Sequence, residues 1–402
     1  MRRRALTIAL LSLVMIAAAT LLPGPAGDDS VAPSRPASMS THPERPLVDS
    51  FFDLGGGRVD AALGNLNQLI SRQPDFALAR LVYADLLAIK SGRIDDLGLL
   101  AAGKEVAGLR HEAQARLARY LEAPPAEALP AELLQLSSAQ TVIVVDVERF
   151  RLYLFENRGG RPTLSQDYYI SIGKAGGDKR REGDEKTPVG VYRVSSYLPG
   201  SGLPDMYGPG AFPIDYPNPW DRRLGRTGSG IWLHGTESAR YSRAPLSSLG
   251  CVTLANVDFL ALRDGVEVGR TPVVVVDGVD WQEPARIDRA RQELADAVEG
   301  WRRDWESLDT DRYLSNYGPE FQTEGMDLAR FAGHKRRVNR GKKFVRVGLS
   351  DVAIYAYLGE EETVLVEFVQ AYESDSFRSR RRKQQFWRRH AEGWKIVFEA
   401  KS

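Results

Sequence analysis

The chain's 402 residues suffice for two or three domains. Its 54 lysines and arginines against 53 aspartates and glutamates leave a formal net charge of +1, which argues against a general nucleic-acid binder. The single cysteine, Cys251, excludes an intramolecular disulfide. At the N-terminus, Arg2, Arg3 and Arg4 precede an apolar or small run from Ala5 to Leu22. That is the pattern of an export signal, so residues 1–26 are read as a signal peptide cut after Ala26 or as a retained membrane anchor. No cysteine follows the run, which excludes a lipid anchor on cysteine. Residues 27–54, rich in Pro, Ser, Ala and Gly, predict a flexible tether.

Between residues 55 and 122 the apolar residues recur at helical spacing: Val59, Leu63, Leu66 and Ile70, then Phe76, Leu78, Leu81, Leu86 and Ile89 beyond Pro74. Two or three packed helices are expected. Their spacing is similar to a tetratricopeptide hairpin, yet with about one and a half units the module is too short for a freestanding solenoid. It is expected to dock, to self-associate, or to act as a structural cap.

Beyond Pro124, Pro125 and Pro130, Thr141 to Phe155 alternates in Val, Leu, Tyr and Phe and predicts a hairpin. Short strands are expected at Gln166–Ile172, Gly190–Tyr197, Ile231–His234 and Val273–Val276, giving a mainly-β domain over 140–282. Asp178, Glu182, Asp184 and Glu185 alternate with Lys179, Arg180 and Arg181, which reads as a solvated loop. Segment 195–230, with many Pro, Gly, Tyr and Trp, is a long irregular stretch of the kind that usually serves function. After Trp281, an amphipathic helix over Ile287–Leu308 presents Leu294, Val298, Trp301 and Trp305 on one side. Strands follow at 343–349, 352–358, 363–373, 377–388 and 394–399. The last domain, 286–402, with its ladder Trp301, Trp305, Asp309, Tyr313, Tyr317 and Phe321, is similar to nuclear transport factor 2. The basic cluster Arg378, Arg380, Arg381, Arg382, Lys383, Arg388 and Arg389 reads either as an anion site or as a charge-guarded edge strand.

Chemistry concentrates around Cys251, in the run Ser247, Ser248, Leu249, Gly250, Cys251, Val252, seventeen positions after His234. An unpaired thiol in an exported protein is an oxidation liability, so it is expected to work as a nucleophile with His234 as its base. His42, His111, His334 and His390 have no histidine or carboxylate partners at ligand spacing, so no metal and no cofactor are expected.

The hairpin Val142 to Phe155, the run Lys186, Thr187, Pro188, Val189, Gly190, Val191, Tyr192, the triplet His234, Gly235, Thr236 and the run Ser248 to Val252 together resemble the L,D-transpeptidase catalytic domain. The resemblance implies action in the periplasm on peptidoglycan stem peptides. Cys251 then attacks the carbonyl between an L-centre and a terminal D-alanine, with His234 oriented by the main-chain carbonyl of Gly235. The amides of Leu249, Gly250 and Cys251 are the oxyanion-hole candidates. Ser248, Trp232, Arg222, Arg223 and Arg226 are the candidates for substrate binding, and segment 195–230 resembles the family's capping loop. The commoner motif has His where this chain has Leu249, and Arg or Asn where it has Thr253. The expected activity is L,D-transpeptidation through a Cys251 acyl-enzyme. The cone-shaped last domain also resembles the cell-shape L,D-carboxypeptidases, which trim tetrapeptide to tripeptide, and amidase release of a lipoprotein uses the same attack. A peptidoglycan-binding scaffold is the non-enzyme alternative, opposed by the intact His234, Gly235, Gly250 and Cys251.

Overall fold

The structure, a computed structural model, describes residues 44–401 except 94–96, 99–100, 123, 126, 139–140, 160, 324 and 358–361. The apolar run 5–22, His42 and residues 27–43 of the expected tether lie outside them. No helix among the described residues is long and apolar enough to cross a membrane.

Four helices come first: α1 (Arg45–Gly55), α2 (Val59–Arg72), α3 (Ala77–Lys90) and α4 (Lys104–Leu121). α1 corrects the sequence reading, since it occupies the last third of the expected tether. Pro46 carries the tether's composition into a helix of only 11 residues, and Pro is tolerated in a first turn. Leu47 and Leu54 of α1 share a core with Leu66, Leu69, Val82 and Leu86.

A buried ion network joins this module to the next domain. Arg116 of α4 is fully buried, ion-paired with Glu44 and with Glu112 at 2.9 Å, and lies 4.0 Å over the Tyr169 ring. Arg151, also fully buried, pairs with the same Glu44 at 3.2 Å and with Asp167. Arg119 closes the set on Asp167 at 2.7 Å. Burial alone would raise the Asp167 carboxyl, but Arg151 and Arg119 hold it down at about 2. The shared carboxylates make the module an integral layer of the molecule.

Two short strands follow, β1 (Leu129–Pro130) and β2 (Leu133–Gln135), and then the middle domain. It contains β3 (Thr141–Asp146), β4 (Arg151–Arg158), β5 (Arg161–Gly173), β6 (Gly190–Arg193), β7 (Leu198–Pro199), β8 (Gly210–Pro213), α5 (Pro219–Arg223), β9 (Trp232–His234), β10 (Leu246–Ser248), β11 (Val252–Leu254), α6 (Asn256–Arg263), β12 (Pro272–Val276) and β13 (Trp281–Gln282). The strands run in the order β6-β12-β3-β4-β5-β11-β9-β8-β7, with β10 on β5. Segment 195–230 is therefore not irregular throughout: β8 is a full sheet member, antiparallel to β9.

The last domain has α7 (Pro284–Glu306), α8 (Thr310–Leu314), β14 (Tyr317–Thr323), β15 (Met326–Asp327), α9 (Leu328–Asn339), β16 (Val345–Tyr357), β17 (Thr363–Ser374), β18 (Arg378–His390) and β19 (Gly393–Lys401). The strands expected at 343–349 and 352–358 are one strand. Its pairing with β17 slips between Ser350 and Ala353, where Asp351 takes a φ of 55°, and that bulge reads in sequence as a break.

Alternation in β3 explains how the domains meet. Ile143 and Val145 face the middle-domain core, while Val142 and Val144 face Tyr355, Leu365, Phe386 and Val397 of the last domain's sheet. The run is apolar throughout because both faces of the sheet are covered. Trp220 of α5 stacks on Phe386 at 4.5 Å and 11°. Polar contacts reinforce the junction: Asn218 donates to the Tyr357 hydroxyl at 3.0 Å, and Arg193 pairs with Glu367. β2, from the stretch after the helices, adds to the edge of the last sheet through β16.

Removing Arg116 leaves the buried Glu112 without its guanidinium partner and Glu44 with Arg151 alone of its two arginines, so Arg116→Ala is expected to cost about 3 kcal/mol in chemical denaturation. A loss below about 1 kcal/mol, the range of an exposed pair, would mean that the network does not bind the module to the domain.

Candidate active site

The site is built on two three-residue strands. β9 and β11 run parallel with Leu233 opposite Val252 and His234 opposite Thr253. Leu233, Val252 and Leu254 are buried in the domain core. Strand alternation then sends His234 and Thr253 to the other face, and Cys251, two residues before Thr253, leads into β11 on that side.

The imidazole is fixed at both nitrogens. Its Nδ1 lies 2.6 Å from the Gly235 carbonyl oxygen, which can only accept, so Nδ1 carries the proton and Nε2 is the basic atom. Nε2 is 3.4 Å from the Thr253 hydroxyl, which is itself buried. The Tyr207 ring closes over the imidazole edge-on, 5.0 Å away. Burial pushes the His234 pKa down to about 4, only partly offset by the Gly235 carbonyl. The Cys251 thiol, which points to the Gly230 carbonyl oxygen at 3.4 Å, is pushed up by burial. At neutral pH the resting pair is therefore neutral thiol and neutral imidazole, each bound to a third group.

The turn carrying the thiol is held by its own side chains and by the run 186–188. Ser248 donates to the Cys251 carbonyl oxygen at 2.6 Å and accepts from the Gly250 amide at 3.0 Å. Its hydroxyl thus makes two hydrogen bonds inside the turn, so Ser248, expected from the sequence to bind substrate, also fixes the position of Cys251. Thr187 accepts from the Gly173 amide and donates to the Gly250 carbonyl oxygen, both at 3.0 Å. Gly250 has a φ of +130°, and a Cβ there would lie 2.7 Å from the Lys186 carbonyl oxygen. At Gly235 a Cβ would fall 2.4 Å from Asn256 Oδ1, the acceptor for the Thr236 amide at 2.8 Å. Of the three oxyanion-hole candidates, the Gly250 amide is occupied by Ser248. Those of Leu249 and Cys251 lie between β10 and β11, outside the ladder. The Leu249 side chain is 66% exposed beside the thiol turn.

Two surrounding segments depart from expectation. The stretch 178–185 is not a simple solvated loop, because Lys179 is buried and pairs with Asp184 at 2.7 Å. Asp184 also accepts from the amides of Arg180, Arg181 and Lys186. This clasp binds segment 227–230 through Thr227 and so sets the carbonyl that meets the thiol. Two of the arginines of 222–226 make structural contacts. Arg223 donates to Gln322 at 3.2 Å and to the Glu320 carbonyl at 3.1 Å in the last domain. Arg226 bonds Asp221 at 3.1 Å and the Val189 carbonyl at 3.2 Å. These contacts give both side chains a structural part beside the substrate-binding one expected of them. Arg222 remains exposed, but it lines a cleft of about 510 Å³ at the domain junction with Pro219, Gln322 and Met326. Trp232 is half-buried against Tyr207, ring centroids 4.9 Å apart.

Sequence reasoning missed two residues. Thr253 was seen only as a departure from a motif; its register opposite His234 appears once β9 and β11 pair. Arg243 lies in an unremarkable loop, yet it donates to Thr236 and Glu237 at 3.0 Å and to the Met206 carbonyl at 2.8 Å. It thereby ties the stretch after the base to the cap. The helical module braces the same loop: Phe76 packs on Tyr241 at 4.2 Å, and Ser242 donates to Glu112 at 2.7 Å.

The family model for the YkuD L,D-transpeptidase catalytic domain matches residues 140–275, and that for the Cds6 C-terminal NTF2-like domain matches residues 293–400. Among solved structures, Bd1075 of Bdellovibrio bacteriovorus is 33% identical, covering 68% of this chain and 97% of its own, with a TM-score of 0.60. The helical cell shape determining protein Pgp2 of Campylobacter jejuni is 26% identical over 67% of this chain and 95% of its own, with a TM-score of 0.58. No curated protein matches the chain.

Because the His234 imidazole is neutral until the pH falls through about 4, kcat/KM of an enzyme that uses it as base should keep its acid side down to that value. An acid limb near the ordinary histidine value of about 6.5 would contradict the geometry. Thr253→Val, which deletes the hydroxyl at Nε2 and keeps the shape, should move that limb and slow turnover roughly fivefold, the worth of one hydrogen bond of about 1 kcal/mol. Thr253→Ser should restore both; an unmoved limb in Thr253→Val would reduce the residue to packing.

Proposed function

Since the chain belongs to the YkuD L,D-transpeptidase family and carries the Cds6-type NTF2-like domain, we propose that it is an L,D-carboxypeptidase that trims peptidoglycan stem tetrapeptides to tripeptides. The observation that carries the chemistry is the parallel pairing of β9 with β11, with Nδ1 of His234 locked on the Gly235 carbonyl beside the run that holds the chain's one thiol. The choice of water as acceptor rests on likeness over both domains to a protein that determines helical cell shape. Those proteins resemble this chain in pairing the catalytic domain with a cone-shaped one.

In this reading Cys251 Sγ adds to the carbonyl carbon between the L-centre and the terminal D-alanine, its proton passing to His234 Nε2. The amides of Leu249 and Cys251 receive the oxyanion, each such donor worth about 3 kcal/mol. Collapse breaks the C–N bond. The imidazolium returns its proton to the departing amine, and free D-alanine leaves a tripeptide thioester on Cys251. A water then gives a proton to the same Nε2 and adds to the thioester carbon, releasing the tripeptide carboxylate and the thiol. Neutral resting partners suit this order, because charge appears only once substrate has closed the site. The reaction takes place outside the cytoplasm, in the periplasm, with residues 1–26 delivering the chain.

Transpeptidation is the second reading, favoured by the match of residues 140–275 to the transpeptidase catalytic domain; an amine then replaces water at the thioester. Mass spectrometry of a disaccharide tetrapeptide incubated with residues 27–402 separates the two. Trimming is expected to give tripeptide and D-alanine, both absent with Cys251→Ala. Cross-linked or D-amino-acid-exchanged product would replace the proposal by transpeptidation, and unchanged tetrapeptide would favour cleavage of a lipoprotein linkage.

A further inference from the structure

The start of a helix is where an asparagine ordinarily caps the free amides of its own first turn. α6 begins at Asn256 behind Ala255, and it has no side-chain cap. The Asn256 carboxamide turns away instead, to a peptide in the loop after β9, and its Oδ1 accepts from the Thr236 amide at 2.8 Å. That amide can only donate, so the atom facing it is the carboxamide oxygen. Thr236 is held at its side chain as well: it is fully buried, and its hydroxyl accepts from Arg243 Nε at 3.0 Å and donates to Glu237 at 2.6 Å.

Two glycines make room for this contact. A Cβ at Gly208 or at Gly235 would collide with Asn256 Oδ1, and Gly208 takes a φ of +59°, where any side chain is strained. Gly208 follows Tyr207, whose ring lies edge-on to the His234 imidazole at 5.0 Å. One carboxamide oxygen is thus enclosed between the turn that carries Tyr207 and the peptide that follows His234.

The Thr236 N–H that Asn256 holds and the Gly235 C=O that meets His234 Nδ1 at 2.6 Å are the two ends of one planar trans peptide unit. Fixing the N–H therefore fixes the direction of the carbonyl. In a neutral imidazole one nitrogen carries the proton and the other accepts. The Thr253 hydroxyl, 3.4 Å from Nε2, can donate or accept, so the choice of tautomer falls to the Gly235 carbonyl. With that carbonyl free to turn, nothing favours the Nδ1–H form, and an imidazole protonated at Nε2 cannot take a proton there. We propose that Asn256 is a positioning residue: through the Gly235–Thr236 peptide it keeps His234 in the tautomer whose Nε2 is open towards the thiol's proton. The proposal rests on the reading of His234 as base given above, and names the side chain that holds it ready.

The test compares residues 27–402, labelled with 15N-histidine, by NMR at neutral pH and without substrate, where protonated and unprotonated ring nitrogens give separate signals. His234→Gln assigns the His234 pair among the five histidines. The unaltered chain should show the Nδ1–H form. In Asn256→Ala the Nε2–H form should become the major one. With tetrapeptide, kcat of that variant should fall roughly fivefold, the worth of one hydrogen bond of about 1 kcal/mol, at a nearly unchanged KM. Asn256→Asp, which keeps the acceptor oxygen, should return the Nδ1–H form. An Asn256→Ala variant that keeps the Nδ1–H form overturns the proposal, whatever its rate. If Asn256→Ala does not fold, Asn256→Ser, whose oxygen falls one bond short of the Thr236 amide, is read in the same way. The spectra need no turnover, so an unaltered chain that leaves tetrapeptide intact counts against the catalytic reading, and the tautomer still decides the role of Asn256.

Discussion

The register of two three-residue strands is the constraint on which the site depends. β9 and β11 run parallel, His234 opposite Thr253, and their partners Leu233 and Val252 are locked in the core. A slip of one residue would send the imidazole into the core and Leu233 to the surface, so the packing of one face enforces the chemistry of the other. Strands this short cannot hold register by their own hydrogen bonds. β8 and β5 flank them, and the turn between β10 and β11 is closed by Ser248 and by the carbonyl of Gly250 on Thr187.

The rest of the molecule braces those two strands. The loop between His234 and Cys251 rests on the helical module through Phe76, Glu112 and the Arg116 network. The segment before the base is clasped by Lys179 and Asp184. The α5 turn that precedes it is pinned to the last domain by the stack of Trp220 on Phe386. Three domains thus meet around one loop cluster, and a site on loops gains its precision from a scaffold rigid on several sides. Fully buried charges are costly, and here two of the carboxylates are shared: Glu44 between two arginines and Asp167 between two. Because the pairing crosses the domain boundary, the network fixes where the module sits as well as whether it folds.

Elements with strong periodicity were legible in the sequence: the hairpin at 141–155, the long helix with Trp301 and Trp305, and the last three strands to within a few residues. The thiol and the imidazole stood out in the sequence because the chain has one cysteine, set in Ser248-Leu249-Gly250-Cys251 seventeen positions after His234. Other features depend on contacts that no local pattern encodes. α1 hides behind Pro46. β16 reads as two strands because the bulge at Asp351 breaks its alternation. The protein partners of Ser248, Arg223 and Arg226 were not legible, because polar residues near a motif look unengaged until the chain is folded. Thr253 becomes meaningful only through its cross-strand partner.

The central claim is that one thiol, served by one imidazole on a neighbouring strand, carries the acyl group. It is tested most directly by intact-mass measurement of rapidly quenched enzyme with tetrapeptide, followed by peptide mapping. The result expected is an adduct of tripeptide-acyl mass on the peptide containing Cys251, formed far more slowly in His234→Ala. An adduct on another residue, or continued release of D-alanine by Cys251→Ala, would contradict the claim.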